Sequence, residues 1–158
     1  MKLKETLQLF AFSLFKVPLL AFIRPRVISY DDQGCCLRIP FRKRNLNHLN
    51  SMYFGVLCSG ADLAAGWVGM TEIRKVKEAK ISFVFQKMEG EFLRRPLKDT
   101  DFICREGENM RAAIARAIAT KERVTLPMLI EVKAAQGENN AEELVARFTL
   151  LMSMKVKA

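Results

Sequence analysis

"SMYFGVLCSGADLAAGWVGM", Ser51 to Met70, decides how the rest of the chain must be arranged. From Asn45 to Thr71 there is no Lys, Arg or Glu, although 27% of the chain is charged, and the one charge in that run is Asp62. The spacing predicts a helix over 51–70, about 30 Å long at about 1.5 Å per residue. Asn50 or Ser51 is suited to cap it. A helix apolar nearly all round needs other elements wrapped about it. A curved antiparallel sheet does this with the fewest elements, so the expected class is α+β, one long central helix inside the sheet.

The flanking sequence supplies the strands. "RVISYDDQGCCLRIPF" reads as two strands joined by a turn at Asp31–Gly34, with Leu37, Ile39 and Phe41 on one buried face. "RKRNLNHLN" is a polar loop leading into the helix. "KISFVFQKM" is a strong strand, "EFLRRPLKDTD" a loop rich in Arg and Pro, and Phe102–Cys104 a short strand. "GENMRAAIARAIATKE" has the stripe Met110, Ile114, Ile118 of an amphipathic helix. "RVTLPMLIEVKAA" and "EELVARFTLLMSMKV" are long strands joined around "QGENN"; Pro127 places the first at an edge or a bulge.

At 158 residues the chain fits one domain with a real core, and its half-hydrophobic composition excludes a disordered chain. Twenty-six basic against 17 acidic residues give +9. That surplus implies a polyanionic partner: nucleic acid, an anionic membrane surface or a phosphorylated small molecule. The four cysteines, Cys35, Cys36, Cys58 and Cys104, lack the spacing of a zinc site or a disulfide framework. Cys58 and Cys104 lie in apolar runs and read as buried thiols of a reducing, cytoplasmic compartment. In "MKLKETLQLFAFSLFKVPLLAFIRPR", Lys16 and Pro18 interrupt the apolar run and no small-residue cleavage site follows, which argues against a secretory signal. Leu3, Leu7, Phe10, Leu14 and Val17 form one stripe, so residues 1–24 read as an amphipathic helix that packs on the domain or lies on a membrane surface.

On the central helix Gly55, Ser59, Asp62 and Gly66 share a face of three small residues and one carboxylate. Phe54, Cys58 and Val68, and Val56, Leu63, Trp67 and Met70, occupy the other faces and read as core. Asp62 has three readings. It is a carboxylate satisfied by backbone N–H groups or a neighbouring Arg, a polar residue in a transmembrane helix, or a nucleophile or general base in a cleft. The four glycines of the run and its polar flanks count against the transmembrane reading.

The segment from Asn47 through Tyr53-Phe54-Gly55 to Ala61-Asp62 resembles the active-site segment of hotdog-fold acyl-CoA thioesterases, the phenylacetyl-CoA thioesterase-like branch in particular. Those enzymes carry an Asn, a His-Gly-Gly starting six residues later, and an Asp nine residues after the His. Here the intervals Asn47 to Tyr53 and Tyr53 to Asp62 are the same, and the order of elements over about residues 25–156 agrees. The resemblance implies residues 25–158 as a single hotdog domain, the sheet wrapped around the helix. It implies Asp62 as the nucleophile or the base that activates water, and Asn47 as the residue that positions water or thioester. The N–H of Phe54 or Gly55 would supply the oxyanion site, a role that suits a helix start. The sequence departs from the family at Tyr53-Phe54-Gly55, which replaces His-Gly-Gly. His48, the only histidine, is out of register and reads as a loop residue.

The resemblance also gives the basic surplus a partner. Coenzyme A, as part of the substrate, carries phosphates that Arg42, Lys43 and Arg44, with Arg94, Arg95 and Lys98, could grip. No separate cofactor and no metal is expected, and a homodimer or tetramer is implied. The rival readings are a non-catalytic hotdog module that binds an acyl ligand, and a basic binder of membrane or nucleic acid. Against nucleic acid stand the absence of known recognition motifs and the scarcity of Tyr and Trp. No HExxH or GxSxG occurs.

Overall fold

In the computed structural model, which describes residues 1–157, six strands form one antiparallel sheet that holds a long helix. Two helices come first, α1 (Leu3–Lys16) and α2 (Pro18–Ile23). The hairpin β1 (Arg26–Asp31) and β2 (Gly34–Ile39) follows, then the central helix α3 (Phe54–Lys75). The chain continues through β3 (Ile81–Phe92), β4 (Thr100–Cys104), helix α4 (Gly107–Thr120), β5 (Val124–Ala135) and β6 (Glu142–Val156). Spatial order is β1-β2-β4-β5-β6-β3, so β1 and β3 are the edges.

Local chemistry explains the hairpin. The Asp31 carboxylate accepts the N–H groups of Gln33 and Gly34, closing the turn. Gly34 has φ +152°, and a Cβ there would lie 1.9 Å from the Cys104 carbonyl oxygen, so only glycine fits. The expected turn and strands are present. Pro127 pairs with Leu151 of β6, while β4 reaches along β5 only to Ile130. The missing N–H therefore falls in a stretch of β5 with one free side, as an edge position requires. The register shift between β5 and β6 lies elsewhere, opposite Val132/Lys133, where β6 carries the extra residue Val145.

Val56, Leu57, Ala61, Leu63, Ala64, Trp67 and Val68 of α3 are buried against both halves of the sheet. The helix is shifted from 51–70. Ser51 and Met52 precede it in extended form, since Met52 bridges Leu46 and the Ser51 hydroxyl donates to Asn47. Neither Asn50 nor Ser51 caps it; Tyr53 holds that position and brings no side-chain cap. At the other end a charged turn extends the helix to Lys75. Buried Glu72 accepts Lys75 Nζ at 2.9 Å and lies 3.7 Å from Arg111 of α4, which satisfies the carboxylate.

Three expectations about burial need correction. Phe54, read as core, is exposed, because it stands at the first helical position beyond the sheet's cover. Cys58 is half-buried, whereas Cys35 and Cys104, facing each other across β2 and β4, are buried free thiols. The N-terminal segment forms two helices, broken at Val17 and Pro18, and Leu3, Leu7, Phe10 and Leu14 of the stripe face solvent, while Val17 at its end is only partly exposed. Its opposite side packs inward because polar clips set the rotation of α1. Lys2 N–H donates to Val27 O, and Val27 N–H donates to the Thr6 hydroxyl, so Leu9 and Ser13 turn onto the domain. The Ser13 hydroxyl is satisfied by donating to Leu9 O. These clips also cover the β1 edge.

Candidate active site

The site begins with the one face of α3 that the sheet does not seal. Gly55, Ser59, Asp62 and Gly66, which share a face as their spacing predicts, are all half-buried along it, while Val56, Leu57, Ala61, Leu63, Ala65 and Trp67 are covered. The Ser59 hydroxyl turns back to donate to Gly55 O at 2.8 Å, leaving Asp62 as the polar group of the face.

Asp62 lines an apolar cavity of about 170 Å³. Phe12, Val17 and Leu20 of the N-terminal segment wall one side, Leu63, Gly66 and Met70 the floor, and Phe83 and Phe85 of β3 the other side. Burial pushes the Asp62 carboxyl above its usual range, and among the described residues no cation or donor offsets this. The contrast with Glu72 is informative: that carboxylate is more deeply buried yet held by Lys75 and Arg111. The expectation of a satisfied structural carboxylate describes Glu72, not Asp62. An unpaired carboxylate beside an apolar cavity is a proton acceptor of raised basicity.

The second part of the site is the start of α3. Tyr53 N–H donates to Asn45 O, and Tyr53 O accepts Val56 N–H and Leu57 N–H. Phe54 and Gly55 lie too early for an intrahelical acceptor, so their N–H groups remain available at the positive helix end. The Tyr53 ring lies across Gly55, 2.6 Å from where a Cβ would stand. The Phe54 ring packs on Phe92 of β3 with centroids 5.2 Å apart.

Asn47 sits in the loop before the helix, and its Oδ1 accepts from Leu49 N–H, Ser51 N–H and the Ser51 hydroxyl. Its oxygen thus organises the turn, which leaves the Nδ2 end for any other partner. Asn47 does not line the Asp62 cavity. Asn45 is the residue that sequence reasoning passed over. Fully buried, it donates Nδ2 to Ile23 O at 3.1 Å and Pro40 O at 2.8 Å, and its backbone carbonyl accepts Tyr53 N–H. It thereby joins the end of α2, the end of β2 and the start of α3. Nothing in "RKRNLNHLN" separates it from its neighbours, because the signal lies in non-local carbonyls. His48 is exposed in the loop.

The basic residues fall into separate groups. Arg42, Lys43 and Arg44 line an open cleft of about 470 Å³ with Phe22. Arg95 donates to Leu49 O at 3.0 Å, and Met52 N–H donates to Pro96 O, so the 94–98 loop lies against the Asn47 loop. Arg94 approaches Glu143 at 4.0 Å. Lys98 lines a different cavity, of about 290 Å³, with Arg38, Asp101 and Glu142, where the charges are mixed. Among the described residues no cluster of His, Cys, Asp and Glu could hold a metal.

Residues 6–150 match the family described as Domain of unknown function (DUF4442), and the chain belongs to that family. A search of curated proteins finds no match. Among solved structures, a Pseudomonas aeruginosa protein described as a probable thioesterase is similar with TM-score 0.78 at 22% identity, covering 96% of each chain. A thioesterase family protein from Silicibacter pomeroyi gives TM-score 0.66 at 12% identity over 96% of this chain and 99% of its own. A Bacillus halodurans protein solved with CoA gives TM-score 0.60 at 17% identity over 96% and 89%. The fold of this chain is the hotdog fold.

Proposed function

We propose that this member of the family hydrolyses acyl-CoA or a related thioester, with Asp62 as the base. The observation that carries the reading is the unpaired, desolvated Asp62 carboxylate on the open face of α3, against an apolar cavity fit for an acyl group. Asp62 takes a proton from water as the water oxygen attacks the thioester carbonyl carbon. The resulting oxyanion is held by the free N–H at Phe54 or Gly55. Collapse re-forms the carbonyl, breaks the C–S bond and releases the thiolate, which recovers the proton. Arg42, Lys43, Arg44, Arg94 and Arg95 are the candidates to receive the coenzyme A phosphates.

One chain cannot supply both parts. Gly55 and Asp62 are seven residues apart on one helix, about 11 Å along its axis. A reacting carbonyl must sit within about 3 Å of its donors and of the activated water. The reading therefore requires Asp62 of one copy to meet the helix start of another, in a homodimer. Support comes from β3, an unpaired twelve-residue edge that presents Val84, Met88 and Phe92 to solvent.

Thioester hydrolysis by the purified chain over acyl-CoAs of graded length tests the reading. Asp62→Asn should abolish most turnover, and unchanged turnover in that variant would sink the role of Asp62. A non-catalytic acyl-binding module is the second reading, favoured by the Tyr53 ring across Gly55 and the engaged Asn47 oxygen. Tight binding of acyl-CoA with no hydrolysis over the whole panel would establish it instead.

A further inference from the structure

The outer surface of α1 and α2 takes no part in the site and exposes a run of large apolar side chains. Leu3, Leu7, Phe10 and Leu14 form its stripe along α1. Phe15, 79% exposed, and Leu19 and Phe22 extend it over α2. Single exposed hydrophobes are ordinary, but a contiguous patch on two successive helices marks an interaction surface.

The charges around the patch say what it meets. Residues 1–26 contain five basic side chains, Lys2, Lys4, Lys16, Arg24 and Arg26, and one carboxylate, Glu5. Glu5 is half-buried, whereas Lys4, Lys16 and Arg24 are exposed at the margins of the stripe. At its α2 end the patch runs without a break into cations. Arg44 lies 5.4 Å over the Phe22 ring and donates to Phe22 O, and Arg42 and Lys43 line the same cleft, which no carboxylate among the described residues borders. A second copy brought face to face would set these cations against their own kind, in a chain already at +9. Apolar side chains that need covering, ringed by cations and almost free of anions, match the boundary between anionic headgroups and acyl chains. At 14 residues α1 is about 21 Å long, too short to span a bilayer but suited to lie in its surface.

We propose that α1 and α2 dock this protein on anionic lipid bilayers, with Leu7, Leu14, Phe15 and Leu19 entering the acyl boundary and Lys4, Lys16 and Arg24 meeting the headgroups. The inference stands whether or not Asp62 is catalytic.

Co-sedimentation of the full chain with vesicles tests it. One set is phosphatidylcholine alone, the other phosphatidylcholine with about 30 mol% phosphatidylglycerol. The chain should pellet with the anionic set, at least about tenfold more tightly than with the neutral set, and detach as salt rises. Phe15→Glu with Leu19→Glu changes two exposed side chains, so thermal unfolding should stay the same while vesicle partition falls by about tenfold or more. If that pair unfolds at a lower temperature, Leu7→Glu, on another part of the stripe, serves as the readout. Failure of the parent chain to bind anionic vesicles overturns the proposal. So does binding that the apolar-to-Glu variants leave unchanged. If the parent ignores vesicles and those variants dissociate an oligomer by light scattering, the face is an interface between copies.

Discussion

Asp62→Asn protein mixed with Phe54→Pro protein should regain activity that neither variant has alone. The first change removes the base and should lower turnover by about 10²–10⁴. The second removes the Phe54 N–H and should cost about 10²–10³. Proline is compatible with that position for two structural reasons. Phe54 is the first residue of α3, where the N–H has no helical acceptor to lose. Tyr53 before it already has φ −68° and ψ 137°, the extended conformation that a following proline demands. The side chain surrendered is exposed and touches Phe92, and Phe54→Ala, which keeps the N–H, separates that loss from loss of the donor. With Asp62 about 12 Å along α3 from the Phe54 N–H, the proposed mechanism has each working site draw its base from one copy and its N–H from the other. Random exchange in an equal mixture makes half the dimers mixed, each with one intact site and one doubly altered site. Activity per chain should therefore rise to about a quarter of the parent value in a two-fold dimer. The assay is thiol release from an acyl-CoA after subunit exchange, with exchange verified by co-purification of two tags. Activity equal to the sum of the separate variants, once exchange is shown, would refute a site shared between copies.

Asp62→Asn also has a stability signature. The folded carboxyl titrates above its unfolded value, so the folded state binds more protons, and the charged form destabilises the fold. The variant's gain in denaturant midpoint should be largest at neutral pH and shrink as pH falls through the raised folded value toward the ordinary carboxylate range. Gly34→Ala should cost more than about 2 kcal/mol in urea unfolding, since its Cβ would meet the backbone of Cys104 at 1.9 Å in a left-handed conformation. Glu72→Ala should cost about 1–3 kcal/mol by the same measurement, because it opens a space in the core and strips Lys75 and Arg111 of their buried partner. Native-state alkylation at pH 8 should spare Cys104, whose thiol burial pushes up to about 12, together with Cys35, and mass spectrometry after brief exposure checks this.

The two parts of the proposed site differ in how they could be read. The open face of α3 follows from spacing, because a helix places Gly55, Ser59, Asp62 and Gly66 in register whatever surrounds it. The environment of each group does not follow. Asp62 and Glu72 are both acids on one helix, yet Glu72 finds Lys75 and Arg111 while Asp62 finds only Phe83, Phe85 and the walls of α1 and α2. Asn45 and Asn47 are two residues apart. One is a buried clamp on Ile23 and Pro40, and the other spends its oxygen on a local turn.

What the sequence determined by itself was whatever depends on neighbours along the chain. The charge-free run predicts a buried helix, alternation predicts the strands, and Asp31 with Gly34 predicts the hairpin turn, because each needs only a few adjacent residues. Tertiary structure decided orientation and partners. The periodicity of residues 3–17 predicts an amphipathic helix but not which side is covered. Two hydrogen bonds to Val27, more than twenty residues away from both Lys2 and Thr6, turn Leu9 and Ser13 inward and leave the apolar stripe outside. Periodicity measures how apolar a face is, whereas burial depends on which face is anchored, and the anchors here are polar and distant in sequence.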